Sequence, residues 1–305
     1  MSVNLTWGAA NAALAESINI YRSTSMIDVN NLPVALASVA GNVSSYMDTT
    51  AVRNTTYYYA VGHVRLGQEL VSPVFIMGHY PDTGPGPQTL LRGDWNCGYF
   101  GMATTAQLFL PSTLNAQVSL PGTLTADVNT TGWYKFIRKG KIIYIPNYVF
   151  STGVYWCSIY NKGLMFGTND NGGFPFTPSA GSLAQYTAPV NQYKLATSGS
   201  YQFVVRTIRA SDLPTTSFVQ AADCIGGELW DLFGRLGPTA SAAAPQDKWN
   251  DIVSTANMAT SHAQQFSGAS SAWYCNSFDT PAVKTTSGAS EVTTYWFPVL
   301  ELVLV

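Results

Sequence analysis

From Trp7 to Val74, apolar and polar residues alternate with a period of two, most clearly in Ile18-Asn19-Ile20-Tyr21-Arg22 and in Thr56-Tyr57-Tyr58-Tyr59-Ala60-Val61. That pattern predicts about seven short strands and a small β-sandwich over residues 1–78. Leu5-Thr6-Trp7 opens the first strand, and Ile18 to Arg22 reads as a central strand with Ile18 and Ile20 inward. Val34 to Val39 follows the turn Asn30-Asn31-Leu32-Pro33. Ser45 to Thr50 leads through a loop into the long run Thr55 to Arg65, and Leu66-Gly67-Gln68-Glu69 predicts a hairpin into Leu70 to Met77. Residues 79–89, with Pro81, Pro85 and Pro87 among Gly84 and Gly86, cannot continue a ladder or start a helix and are expected to form a semi-rigid linker.

Residues 90–305 predict a larger α+β domain. Gly132 to Ile137 and Lys141 to Ile145 flank Arg138-Lys139-Gly140 as a β-hairpin that Pro146 closes, and Tyr201 to Ile208 reads as a strand. Val154 to Gly167 fits either a short helix with a glycine stop or a strand pair. Leu229, Leu232, Phe233 and Leu236 recur at helical spacing, so Glu228 to Pro238 predicts a short amphipathic helix, and Asp247 to Met258 a second one. Thr293 to Val305 is expected as a buried terminal strand, with Pro298 marking a bulge or edge near its start. The stretches Thr177 to Pro189 and Thr239 to Pro245 read as loops. No repeat of 20 to 50 residues is evident.

Composition changes the picture in one direction. Charged residues make up 10% and aromatic residues 13%, with 17 Tyr and 8 Trp, against about a quarter charged in an average soluble domain. Because interface cores exclude Lys and Glu, a surface of this kind is expected to be covered by other subunits, as in an assembly protein or a homo-oligomer. The net charge of −2 and the absence of any basic run longer than Arg138-Lys139-Gly140-Lys141 argue against a nucleic-acid partner. No stretch approaches the ~18 apolar residues of a membrane span, and the first residues carry no basic and apolar export signal, so synthesis and folding in a cytoplasm are expected. Cys97, Cys157, Cys224 and Cys275 and the three histidines lack metal-site spacing, so buried reduced thiols and no cofactor are expected.

Candidate chemistry is sparse. Asn169-Asp170-Asn171-Gly172-Gly173 has the oxygens and glycines of a calcium loop but one carboxylate and no closing Glu, which favours a tight turn with a recognition role for Asn169, Asp170 and Asn171. Glu228 and Asp231 are the nearest approach to a carboxylate pair, and three-residue spacing on a helix predicts a solvated face instead. Trp273-Tyr274-Cys275-Asn276 lacks the glycines of a cysteine-protease signature, and no G-x-S-x-G elbow occurs. The expectation is therefore a non-enzyme. Of the aromatics Trp95, Tyr99, Trp133, Tyr134, Tyr155, Trp156, Trp273 and Trp296, most alternate with polar residues and predict core; Trp273 and Tyr274 are the expected exposed pair, suited to stacking on a sugar.

Two resemblances add to this reading. Leu5-Thr6-Trp7, Ile20-Tyr21-Arg22-Ser23-Thr24, Tyr46-Met47-Asp48-Thr49-Thr50 and Tyr57-Tyr58-Tyr59-Ala60-Val61 together resemble a fibronectin type III domain, which implies that Tyr57 or Tyr59 anchors a loop over the sandwich. The ordered phrases Gly132 to Phe136, Gly140 to Pro146, Leu164 to Gly172, Leu229-Trp230-Asp231-Leu232 and Trp296 to Leu302 are similar to virion structural proteins of tailed bacteriophages, and the last also resembles the closing strand of C-type-lectin-like folds. The phage resemblance implies a virion location on tail, baseplate, fibre or capsid exterior, assembly in the host cytoplasm and other virion proteins as partners; the alternative is an adhesin that binds a host surface glycan. Neither resemblance carries a catalytic residue.

Overall fold

The computed structural model describes residues 2–8, 14–173, 189–235, 261–268, 271–275, 283–285 and 294–304. The chain is mainly β and divides into two units, Met1–Thr83 with Asp94–Asn96, and Gly84–Gly93 with Cys97–Val305. The helix expected at 247–258, the loop at 239–245 and all but the last residue of the loop at 177–189 lie outside the described residues.

The first unit holds β1 (Val3–Thr6), β2 (Ser17–Ser23), β3 (Ala37–Ala40), β4 (Ser45–Asp48), β5 (Thr55–Arg65), β6 (Gln68–Val71) and β7 (Phe75–His79). β1 pairs with β4, while β3, β2, β5 and β6 form a second sheet in that order, with β7 also on β5. Alternation decides the packing. Ile18, Ile20, Tyr59 and Val61 point to one face of the second sheet, where they meet Val3 and Leu5 in a buried core; Tyr21 and Ala60 point to the other, beside Ile27. The expected strand from Val34 begins only at Ala37, where the ladder with Ile20 starts, and Val34 is 93% exposed.

The hairpin after β5 turns on Leu66 and Gly67, both with positive φ (49° and 69°), the geometry of a two-residue turn whose twist matches the strands. The strand expected from Leu70 to Met77 is broken. Pro73 has no N–H for the ladder, and Ser72 makes the adjustment: its N–H donates to Val61 O at 2.8 Å while its hydroxyl accepts the Val61 N–H at 3.0 Å.

One buried charge organises this unit. Asp48, fully buried at the end of β4, accepts from Arg22 Nη1 (2.7 Å), the Tyr59 hydroxyl (2.7 Å), and the Thr50 N–H and hydroxyl (2.9 and 2.8 Å). The Arg22 guanidinium also lies 4.8 Å from the Tyr57 ring centre, and the Tyr57 hydroxyl accepts the Val52 N–H at 2.9 Å. Tyr59 and Tyr57 therefore tie down residues 48–52.

The second unit holds β8 (Arg92–Gly93), β9 (Cys97–Thr104), α1 (Pro111–Val118), β10 (Thr123–Leu124), β11 (Gly132–Arg138), β12 (Lys141–Pro146), β13 (Ser151–Val154), α2 (Trp156–Asn161), β14 (Lys194–Ser198), β15 (Tyr201–Arg206), β16 (Ser261–Gly268), β17 (Ser271–Cys275), β18 (Val283–Thr285), β19 (Thr294–Trp296) and β20 (Val299–Leu302). Its larger sheet runs β14-β15-β20-β12-β11-β9-β8, and a second runs β10-β13-β19-β16-β17-β18. The β11–β12 hairpin turns on Lys139 and Gly140, again both with positive φ, and β11 is buried along its whole length. Of the two readings of Val154 to Gly167, the helix α2 is the one that forms, stopped by Gly163 at φ 74°.

The terminal apolar run serves both sheets. β19 belongs to one and β20 to the other, and the break between them falls on Phe297 and Pro298, where a missing N–H ends one ladder before the next begins. Helix α1 carried no clear signal in the sequence.

Residues 84–89, expected as part of a linker, pack within the second unit. Lys135 is fully buried, and its Nζ donates to Pro87 O (2.7 Å) and Gly84 O (3.1 Å), while the Tyr144 hydroxyl donates to Pro85 O (3.0 Å). Gly84 and Gly86 both have positive φ, and a Cβ on Gly84 would meet the Tyr144 hydroxyl at 2.7 Å, so the glycines are what allow the strap to lie so close. Lys135→Met keeps the bulk and removes the donor. It is expected to speed hydrogen exchange across residues 84–93 and to cost about 2 kcal/mol, the usual range for leaving a buried acceptor without its partner. Unchanged exchange there would count against the strap.

Candidate functional site

The register of the larger sheet gathers charge onto one face. Arg138 pairs with Lys141 across β11 and β12, Ile143 pairs with Glu301 across β12 and β20, and Val204 pairs with Glu301 across β20 and β15. Because side chains alternate with a period of two, Arg138, Lys141, Glu301 and Arg206 all project from the same face. The rest of that face is apolar, with Tyr134, Phe136, Ile143, Ile145 and Val299 packed against Leu229, Leu232 and Phe233.

A π-helical turn, Trp230–Arg235, stands where an ordinary amphipathic helix was expected. Glu228 and Asp231, read from the sequence as a solvated face, are instead 2% and 7% exposed. The reason lies in the sheet beneath. Arg206 Nη1 and Nη2 donate to the two Glu228 oxygens at 2.7 and 2.6 Å, its Nε donates to Glu301 at 3.0 Å, and Nη1 also reaches Thr207 O at 3.1 Å. Arg138 Nε donates to Asp231 at 2.8 Å, its Nη1 and Nη2 to Asp212 at 2.9 and 2.7 Å, and Nη2 also to Gly226 O at 2.8 Å. An acid turned inward is stable here because a buried guanidinium waits for it.

Lys139 and Lys141, each more than half exposed, complete the pattern on Asp212 and Glu301 respectively. Burial opposes ionisation of Asp212, yet the hydrogen bonds from Arg138 and Lys139 outweigh it and bring the carboxyl down to about 2. For Glu301, burial is again opposed and outweighed, here by the attraction of Arg206 and Lys141, which holds it below the ordinary carboxylate value. Burial likewise disfavours the Arg206 charge, but Glu228 and Glu301 raise it above the usual guanidinium range. Carboxylates held ionised in this way are charge partners; a general acid at neutral pH needs the opposite shift.

These side chains surround a cavity of about 300 Å³, with Phe166, Gly167 and Thr168 on one wall and Arg209 on another. Thr168 also opens the Asn169-Asp170-Asn171 segment, so the structure sets that stretch beside the pocket. All three residues are exposed. Asp170 Oδ1 accepts from the Thr168 hydroxyl and from the Gly172 N–H at 2.7 Å, Asn171 Oδ1 accepts the Gly173 N–H at 3.2 Å, and Asn169 Oδ1 accepts from Asn191 Nδ2 at 2.9 Å. The hydrogen bonds from Thr168 and Gly172 lower the Asp170 carboxyl. Their oxygens serve the turn itself, and among the described residues no group of three His, Cys, Asp or Glu side chains is arranged to hold a metal.

Trp273 and Tyr274 lie on β17, but their side chains fall outside the described residues. Of the other aromatics singled out, Trp133, Tyr134, Trp156 and Trp296 are buried, and Trp95, Tyr99 and Tyr155 are half-buried. Cys97, Cys157 and Cys224 are buried, and burial pushes the Cys157 thiol up to about 12. Among the described residues no helix is long and apolar enough to cross a membrane.

No family model, curated protein or solved structure matches the chain. The signal that sequence reading passed over was a lone charge inside an apolar strand: Glu301 within Val299-Leu300-Glu301-Leu302, and Arg206 after Phe203-Val204-Val205. In a chain this poor in charge, such a residue implies a buried partner.

Proposed function

We propose that this chain is a non-enzymatic structural subunit of a tailed-bacteriophage virion, a fibronectin type III-like sandwich ahead of a larger β domain, working through interfaces with other virion proteins or copies of itself. The observation that carries the reading is where the scarce charge resides. Asp48, Lys135, Arg138, Arg206, Glu228 and Asp231 are all buried, so a chain that is 10% charged spends part of that on its interior. What remains outside includes Val34, Val128, Leu66, Leu70 and Leu91, each at least two-thirds exposed. A surface depleted in charge and dotted with aliphatic side chains suits repeated subunit contacts, where many modest interfaces add.

Mass spectrometry of purified particles made from the genome that encodes the chain, with immunogold labelling of intact particles, tests this. The expected result is stoichiometric presence in the particle at a fixed position. A purified chain that stays a monodisperse monomer and never enters particles would overturn it.

A further inference from the structure

We propose that the charged pocket of the second unit binds a small carboxylate-bearing ligand of monosaccharide size, such as an acidic sugar, with Arg209 as the partner of its carboxylate. This goes beyond the virion reading, and either can fail without the other.

Five cationic side chains, Arg138, Lys139, Lys141, Arg206 and Arg209, line the cavity. Four carboxylates answer them: Asp212, Glu228 and Glu301 in the lining, and Asp231, which holds Arg138. Among the described residues Arg209 is the one of these five that makes no ion pair. Its Nη2 donates to Leu213 O at 3.3 Å, and its Nε is buried without an acceptor. The backbone on either side is held in place, with the Arg209 N–H on Glu228 at 3.3 Å and the Leu229 N–H on Arg209 O at 3.0 Å. A guanidinium fixed at its base, with Nη1 making no hydrogen bond among the described residues and a cavity beside it, is the arrangement whose outer edge takes up a carboxylate two-pronged.

The size and chemistry of the remaining walls narrow the class. About 300 Å³ is the low end for a small-molecule site and holds one ring. Asp212 and Glu301, already ionised, keep lone pairs that accept from hydroxyl groups, and the exposed Lys139 and Lys141 ammonium groups donate to them. Phe166 supplies an apolar wall for the C–H face of a ring. One guanidinium without an ion pair matches a monoanion, whereas a phosphate dianion would bring a second charge that has no such partner.

Titration of the full-length chain with D-glucuronate, D-glucose, acetate and inorganic phosphate, followed by calorimetry and by NMR of the bound sugar, tests the proposal. Glucuronate is expected to bind most tightly, acetate weakly and glucose not measurably. Arg209→Gln is expected to weaken glucuronate by at least roughly tenfold, the loss of one charge-assisted hydrogen bond, with Arg209→Lys in between. Peptide-resolved hydrogen exchange checks that both variants keep the fold, and the Lys variant retains the charge should Gln disturb it. Binding of glucose as tight as that of glucuronate, phosphate tighter than either, no binding of any probe, or full binding by a folded Arg209→Gln protein would each overturn it.

Discussion

Replacing Glu228 with glutamine is expected to destabilise the second unit by about 3 kcal/mol, because it strips a buried arginine of its two-pronged partner and leaves a shared carboxylate, Glu301, as its counter-charge. Arg206 is 3% exposed and keeps only Glu301 and one carbonyl once the Glu228 carboxylate is gone. The double change Arg206→Met with Glu228→Leu removes both charges and fills similar volume. It should recover part of the loss, since the desolvation of the pair is removed along with its attraction while Glu301 keeps Lys141. Urea unfolding followed by tryptophan fluorescence reads the effect, and hydrogen exchange on β12, β15 and β20 peptides assigns it to the second unit, as a chain of two units need not unfold in one step. A loss below about 1 kcal/mol for Glu228→Gln would mean that the pair contributes no more than a surface bridge does.

The comparable change in the first unit is Asp48→Asn. Asp48 binds Arg22, Tyr59 and both donors of Thr50 without any exposure to solvent, so loss of its charge is expected to cost about 3 kcal/mol in a sandwich with little stability to spare. The variant also has a pH signature. Burial opposes ionisation of Asp48, but the hydrogen bonds from Tyr59, Thr50 and Arg22 outweigh it and lower its carboxyl below the ordinary value. A depressed folded value means that the stabilisation is complete above the unfolded value of about 3.9 and is lost as pH falls below it toward the folded value. Acid titration of wild type should therefore show exchange over residues 45–61 rising below about pH 4, and Asp48→Asn should show that looseness already at pH 7. A flat profile in wild type would rule out the linkage.

Much of the strand pattern was legible because it rests on local chemistry. Thr55 to Arg65 and the hairpin on Arg138-Lys139-Gly140 follow from alternation and from a turn that only certain residues allow. Glu228 and Asp231 show where local reasoning stops. Three-residue spacing on a helix says which side they share, and it cannot say whether water or a pair of arginines lies on that side. The same holds for residues 84–89: proline and glycine exclude a ladder, but the buried ammonium of Lys135 that turns them into a strap sits about fifty residues away in the chain.

What the sequence alone determined is thus the mainly β character, the tight turns and the inward choice of residues such as Ile18 and Ile20, all consequences of periods and backbone limits contained in a few neighbouring residues. What only the tertiary structure decided is the charged pocket. Arg138, Arg206 and Glu301 come from strands far apart in sequence, and only sheet register puts them on one face, where Asp212, Asp231 and Glu228 from later segments meet the two arginines and make their burial stable.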